Sequence, residues 1–318
     1  MPPTPQRLWR SRIKNGLQTL LIMTGLVLVL SIPGYLFAGP FGVVVCFTTV
    51  LLVAYFSSWV PARWILANSG AGLLHRHQAP ALYRLLDTLY QRAGLQMHPR
   101  LYYAPSAELN AFAVGDQRDG GIAVTEGLLR TLSLRELAGV LAHETSHLCH
   151  GDTRVMSIAA AMTRLTVWAT TVVQVSLLLM LPMIVTGELA FPWLTLLLVA
   201  LAPTLSTLLQ LALSRNREYT ADLEAVAITR DPHGLASALQ VLERHQGQWL
   251  ATLFGQQPPA WIDWLRTHPP TAERIRRLLA LTPPDRATSP LDGLNADGQP
   301  TLHQRPPPLG PRYWILRR

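Results

Sequence analysis

The sequence predicts an α+β membrane protein, with four transmembrane helices in two hairpins and a polar, mostly helical domain that carries a small antiparallel sheet. Three observations predict it. Hydrophobic residues make up 49% of the 318 residues and charged residues only 14%, which is unlike an ordinary soluble chain. Four runs, Gly16 to Phe37, Phe41 to Val60, Leu165 to Val185 and Phe191 to Leu213, hold no Asp, Glu, Lys, Arg or His. Between and after them lie polar stretches with helical and strand periodicity.

Crossing about 30 Å of hydrocarbon takes roughly 20 apolar residues, so each run is long enough to span. Pro33, Pro182 and Pro203 fall inside three of them, where kinks are expected and a bilayer helix tolerates them. Ala38, Gly39 and Pro40 alone separate the first two runs, so those form a tight hairpin. Arg7, Arg10, Arg12 and Lys14 precede the first run, whose apolar stretch is too long for a secretory h-region, and an uncleaved anchor is expected.

Basic residues flank the runs on one side. Arg7 to Lys14, Arg63, Arg76, Arg154, Arg164, Arg215 and Arg217 share it, and the two opposite turns carry only Glu188. The positive-inside rule then places both termini and the polar domain in the cytoplasm of an integral cell (inner) membrane protein. Net charge is +8, and anionic lipid headgroups rather than nucleic acid are its expected counterpart. Cys46, within a run, and Cys149 cannot form a disulfide framework and have no metal-ligand spacing.

Residues 1–15 thus form a basic N-terminus, 16–60 and 165–213 the two membrane hairpins, and 61–164 with 214–281 one interrupted domain. Leu82, Leu85, Leu86 and Leu89 recur at helical spacing before Gly94, which predicts a helix over 79–93. Arg100 to Ala104, Ala111 to Val114 and Gly121 to Thr125 read as strands of a small antiparallel sheet, bounded by Pro105, Gly115 and Asp119-Gly120. Ser133 and Glu136 form a capping box before an apolar-periodic run, so a helix starts there and continues to about Asp152. Further helices are expected over Arg215 to Thr229 and Thr271 to Leu281. From residue 282 the chain is Pro-rich, with little to bury, and reads as a flexible tail.

On the capping-box helix stands His143-Glu144-Thr145-Ser146-His147, an H-E-x-x-H pattern. Residues four apart share a helical face, so both imidazoles project together as metal ligands, with Glu144 one step round and placed to take a proton from a water. A catalytic zinc needs a third protein ligand. The positions three and six beyond His147 hold His150 and Thr153, not the Gly and His of the metzincin pattern. Glu188 lies across the membrane, and Glu108, Glu126 and Glu136 precede or begin the motif helix. Glu218 follows the fourth run by a few residues, at the same membrane face, and Asp222 lies one turn on, placed to orient a ligating imidazole. Glu224 points elsewhere. A solvated helix with Glu218 paired to Arg215 or Arg217 is the alternative.

The sequence resembles the HtpX heat-shock membrane protease family, which is related to the CAAX prenyl endopeptidases. The resemblance rests on Asn110-Ala111-Phe112-Ala113, Val124 to Leu128, His143 to His147 with His150-Gly151-Asp152, Ser214 to Asp222, and His268-Pro269-Pro270 with Arg274. It implies a gluzincin-like zinc metalloendopeptidase with one Zn2+ held by His143, His147 and Glu218. It implies Glu144 as general base, and Asn110, Ala111, Phe112 and Ala113 as a strand edge beside the active site, where an extended protein or peptide substrate adds its backbone. Membrane or misfolded proteins are the expected substrates, in quality control under stress. His268 and Asn110 are candidates for steadying the tetrahedral oxyanion, although His-Pro-Pro is also an ordinary turn. Arg135, Glu136, Asp152 and Arg154 flank the motif too closely for an intramembrane site. A prenyl-protein processing enzyme and a non-catalytic membrane scaffold are the rival readings.

Overall fold

The computed structural model describes residues 5–57, 59–96, 98–187, 193–254 and 270–281. They fall into two compact units, one of residues 12–59 with 154–216 and one of 60–153 with 217–281, the latter also taking residues 5–11.

In the first unit, α1 (Pro5–Ser57) is broken at Ala38 and Gly39, where Gly39 adopts φ 61°. A side chain on Gly42 would meet the Gly34 carbonyl oxygen at 1.9 Å, so the two arms approach backbone to backbone. Ile22, Leu26, Leu30 and Val50 from those arms form a core with Ala159, Met162 and Leu213. α6 (Asp152–Leu179), the short α7 (Leu181–Val185) and α8 (Trp193–Thr229) supply the rest of the unit's helices. Three helical stretches, Arg12–Phe56, Asp152–Leu179 and Trp193–Thr229, are long and apolar enough to cross a membrane. Within this unit Ser206 Oγ donates to Thr163 Oγ1 at 3.1 Å, so buried hydroxyls find partners where water is excluded.

The second unit begins with α2 (Ala62–Asn68), β1 (Gly72–Leu73) and α3 (Pro80–Ala93). α3 buries Leu82, Leu85, Leu86 and Leu89 and is closed by Gly94 in the left-handed region, as its sequence predicts. β2 (Arg100–Ala104), β3 (Ala111–Gly115) and β4 (Gly120–Thr125) follow. The sheet order is β1-β2-β4-β3. β3 and β4 pair antiparallel through the Asp119-Gly120 turn, but β2 pairs β4 in parallel. The expectation of a purely antiparallel sheet is therefore corrected to a mixed one. It assumed that consecutive strands pair, the usual case, whereas the six residues between β2 and β3 carry the chain past the place β4 fills. β1, antiparallel to β2, was too short to read from sequence.

Leu101, Ile122 and Val124 on one sheet face join Leu85, Leu86, Leu89, Leu137, Leu141 and Leu148 in the main core. The other face, Tyr102, Ala104, Val114 and Ala123, is covered by Ala62, Leu66 and Ala71 of α2 and its exit. α4 (Glu126–Thr131) and α5 (Leu134–His150) come next. Ser133 and Glu136 cap α5 reciprocally, as predicted, with Ser133 N–H donating to Glu136 Oε2 at 2.9 Å. α5 stops one turn after His147 because Gly151 takes φ 61°, a left-handed C-cap that suits glycine. The motif helix is thus two residues shorter than expected, and Asp152 opens α6 instead. Arg215 to Thr229 is not a separate helix but the end of α8. α9 (Pro232–Phe254) and α10 (Thr271–Leu279) complete the unit.

Candidate metal centre

α5 and the end of α8 bring the donors together. His143 Nε2 and His147 Nε2 face one another at 3.2 Å. Glu218 Oε2 lies 3.4 Å from the first and Glu218 Oε1 3.7 Å from the second. One donor atom from each of the three residues lies within 4.8 Å of the others, and among the described residues no other His, Cys, Asp or Glu group of three or more meets that test. A tetrahedral ion with ligand bonds of about 2.0–2.2 Å separates its donors by about 3.3–3.6 Å, so the donor set fits a metal.

The outer nitrogens explain why both Nε2 lone pairs point inward. His147 Nδ1 is 2.8 Å from Asp152 Oδ2, which fixes the ring proton on that nitrogen. Asp222 Oδ1 lies 3.1 Å from His143 Nδ1, in contact but not aligned as a full hydrogen bond. Two lone pairs 3.2 Å apart repel unless a cation or a proton lies between them. Burial alone would lower the His143 pKa, but Asp222 and Glu218 outweigh it and push it up to about 10. Proton and metal therefore compete for this imidazole.

The carboxylates are held in turn. Arg274 of α10 donates from Nε to Asp222 Oδ2 at 2.8 Å and from Nη2 to Oδ1 at 2.7 Å, and its Nη1 is 2.9 Å from Glu218 Oε2. Arg217 pairs with Asp152. Neither Arg274 nor Asp152 received a role from the sequence. Asp152 was concealed by the helix break at Gly151, which turns it back toward His147. Arg274 stands in the stretch after His268-Pro269-Pro270, and its helical position is visible in sequence while its target is not.

Glu144 is half-buried beside the imidazoles, and burial pushes its pKa up. The nearby Ala113 backbone amide opposes that shift, which brings β3 beside Glu144. Asn110 is pinned at the start of this strand. Its N–H donates to Thr125 Oγ1 at 3.0 Å, and Thr125 N–H donates to its carbonyl at 3.1 Å. Since Asn110 bonds toward β4, Ala111 and Ala113 direct their backbone groups to the open side of this edge strand. The Ala113 carbonyl accepts from Thr153 Oγ1 at 3.2 Å. Phe112 pairs with Ala123 and packs against the α2-covered sheet face. Glu224 lies away from the three donors, as expected, and it is buried. Its carboxylate accepts from Ser146 Oγ at 3.1 Å and contacts His150 Nε2 at 3.2 Å. His268 and Glu188 lie outside the described residues.

The model of peptidase family M48 matches residues 76–282. A protease HtpX homologue of Pyrococcus furiosus is 35% identical over 292 residues, 84% of this chain and 94% of that protein. One from Acaryochloris marina is 41% identical over 222 residues, 66% and 75% of the respective chains. The crystal structure of S. mikatae Ste24p is similar at a TM-score of 0.49 and 18% identity, over 87% of this chain and 68% of that one. The matched segment contains the motif helix, the glutamate that faces it and the arginine that clamps that glutamate, and the chain belongs to peptidase family M48, among its HtpX-type membrane metalloproteases.

Proposed function

We propose that this metalloprotease is a zinc endopeptidase of the cytoplasmic membrane face, hydrolysing peptide bonds of membrane or misfolded proteins. His143, His147 and Glu218 hold the zinc, Glu144 is the general base, and Asp222 and Asp152 orient the two imidazoles. One observation carries this reading: two imidazole Nε2 atoms and a carboxylate from another helix converge at 3.2–3.7 Å. Two His and one Glu are the donor set of a catalytic zinc that keeps its fourth position open. Zinc in such a site acidifies a water to a pKa near 7 and polarises a carbonyl.

Glu144 takes the proton of the attacking water and hands it to the leaving amine. A base that must later act as an acid works best with a pKa near the operating pH, and burial pushes that of Glu144 upward, in that direction. The Asn110 to Ala113 edge binds an extended substrate through its backbone. Ala111 offers its N–H and carbonyl to the open side, while the Ala113 carbonyl is already engaged by Thr153. Backbone pairing gives affinity with little sequence preference, which suits quality control. His268, with Asn110, is retained as a candidate oxyanion partner.

The chain crosses the bilayer four times, and the domain of residues 61–164 and 214–281 is interrupted by the second hairpin. The break of α1 at Ala38–Gly39 supports two spans there. Glu218 follows Leu213 by five helical residues, a rise of about 7–8 Å, so the zinc stands just above the cytoplasmic headgroups.

Purified protein should cleave an unfolded or membrane-protein substrate, lose that activity to a chelator, and regain it with zinc. Absence of metal-dependent cleavage favours the scaffold reading, and cleavage of prenylated substrates alone favours the processing enzyme. In a background lacking Cys46 and Cys149, Thr186→Cys should react with an impermeant thiol reagent in intact cells and Gln91→Cys only after the membrane is opened. The opposite pattern would overturn the topology.

A further inference from the structure

Over residues 61–153 and 217–281, large hydrophobic side chains reach the surface at four described positions, and three of them, Trp64, Ile65 and Leu73, fall within ten residues. Scattered single exposures are ordinary. A cluster on α2 and its flanks is not, and Trp64 is 70% exposed. α2 turns Ala62 and Leu66 inward, so Trp64 stands on the opposite side of this short helix. Arg63 beside it is exposed as well.

The sequence fixes what lies near this face. The second uncharged run ends at Val60 and α2 begins at Ala62. Ser57, the last residue of α1, and Ala62 are five residues apart, which an extended chain spans in at most about 18 Å. The headgroup layer on each side of the hydrocarbon is about 5–8 Å thick, so α2 starts within reach of it. Trp with an apolar neighbour and an Arg is the composition of that layer.

α2 is also tied to the sheet that carries the substrate edge. Its first amide, Ala62 N–H, donates to Asp119 Oδ2 in the β3–β4 turn at 2.9 Å. Its inner face packs on Tyr102, Val114 and Ala123. We propose that α2 is an interfacial helix, with its Trp64 and Ile65 face seated in the lipid headgroup layer, and that through Asp119 and this packing it sets the height of the β3–β4 hairpin above the bilayer. The second half rests on the reading of Asn110 to Ala113 as the substrate edge. A segment leaving the bilayer would then meet β3 at a fixed distance, whereas a soluble peptide would not depend on α2.

The test places a single cysteine by Trp64→Cys, or by Gln91→Cys on α3, in a background lacking Cys46 and Cys149. Each is labelled with an environment-sensitive fluorophore and reconstituted in vesicles of phosphatidylcholine and phosphatidylglycerol. A nitroxide carried on the lipid near the headgroup should quench the label at 64 several-fold more than the one at 91, and aqueous iodide should do the reverse. Equal quenching at both positions would overturn the proposal. Protection at 64 from both quenchers would overturn it too, by showing a protein surface there. In a second arm, Trp64→Glu should slow cleavage of a substrate anchored in the same vesicles several-fold and leave cleavage of a short soluble peptide in detergent unchanged. Equal losses on both substrates would reduce α2 to a structural role and refute the coupling. If wild type cleaves neither substrate, the endopeptidase reading has failed, and the quenching still reads where α2 lies.

Discussion

Glu218 and Glu224 stand six residues apart on α8, both almost wholly buried, and both face a histidine of α5. They do different things. Glu218 meets two imidazoles whose Nε2 lone pairs already point at each other, and Arg274 holds it from behind. Glu224 meets one imidazole and a hydroxyl, and His150 Nδ1 is 2.9 Å from the Ser146 carbonyl. The second cluster closes its hydrogen bonds within the protein, whereas the first leaves donors converging on one point. Buried histidine and carboxylate are thus not enough for a metal centre. Convergence of lone pairs is what sets the proposed centre apart, and the carboxylates behind each ring stand to support it.

The contrast is sharpened most by Glu144→Gln, which touches neither cluster's supports. Loss of the base should cost at least about 100- to 10,000-fold in cleavage rate, while metal analysis finds zinc retained. Near wild-type activity in that variant would end the mechanism. Arg274→Ala comes next. Removing one partner of a buried ion pair costs about 3–5 kcal/mol, so the metal-free protein should lose that much stability, and added zinc should restore part of it as a cation beside Glu218 and Asp222. Denaturant unfolding with and without zinc checks this, and an equal loss in both conditions would detach Arg274 from the metal centre.

Asp222→Ala should weaken zinc binding about 10- to 100-fold, the usual effect of freeing a ligating imidazole. Competition with a chromogenic chelator measures it, and an unchanged affinity would contradict the orienting role. At the small end, His150→Gln should lower stability by about 1–2 kcal/mol through the Glu224 contact and leave zinc content unaltered. A zinc-depleted His150→Gln protein would merge the two clusters and remove the contrast.

The motif helix was legible because its signals are local. Ser133 and Glu136 mark its start, and the four-residue spacing places His143 and His147 on one face. The partnership with Glu218 was legible through chain path, since α8 carries the glutamate only a few residues beyond an uncharged run. What escaped was nonlocal or conformational. No sequence period tells that β4 inserts between β2 and β3, or that Arg274, fifty-two residues beyond Asp222, aims its guanidinium at it. Gly151 hid Asp152 in another way. A left-handed cap ends the helix where an apolar pattern alone would extend it, and this turn is what gives His147 its carboxylate.

The most direct test is the zinc content of the purified wild type, Glu218→Ala and Glu224→Ala proteins, measured side by side by elemental mass spectrometry after the same dialysis. On the proposed assignment Glu218→Ala removes one of three ligands and Glu224→Ala removes none, so the expected values are about one zinc per chain in the wild type, close to none in the first variant and about one in the second. Zinc retained by Glu218→Ala, or lost from Glu224→Ala while the protein stays folded, would contradict the assignment of the metal centre.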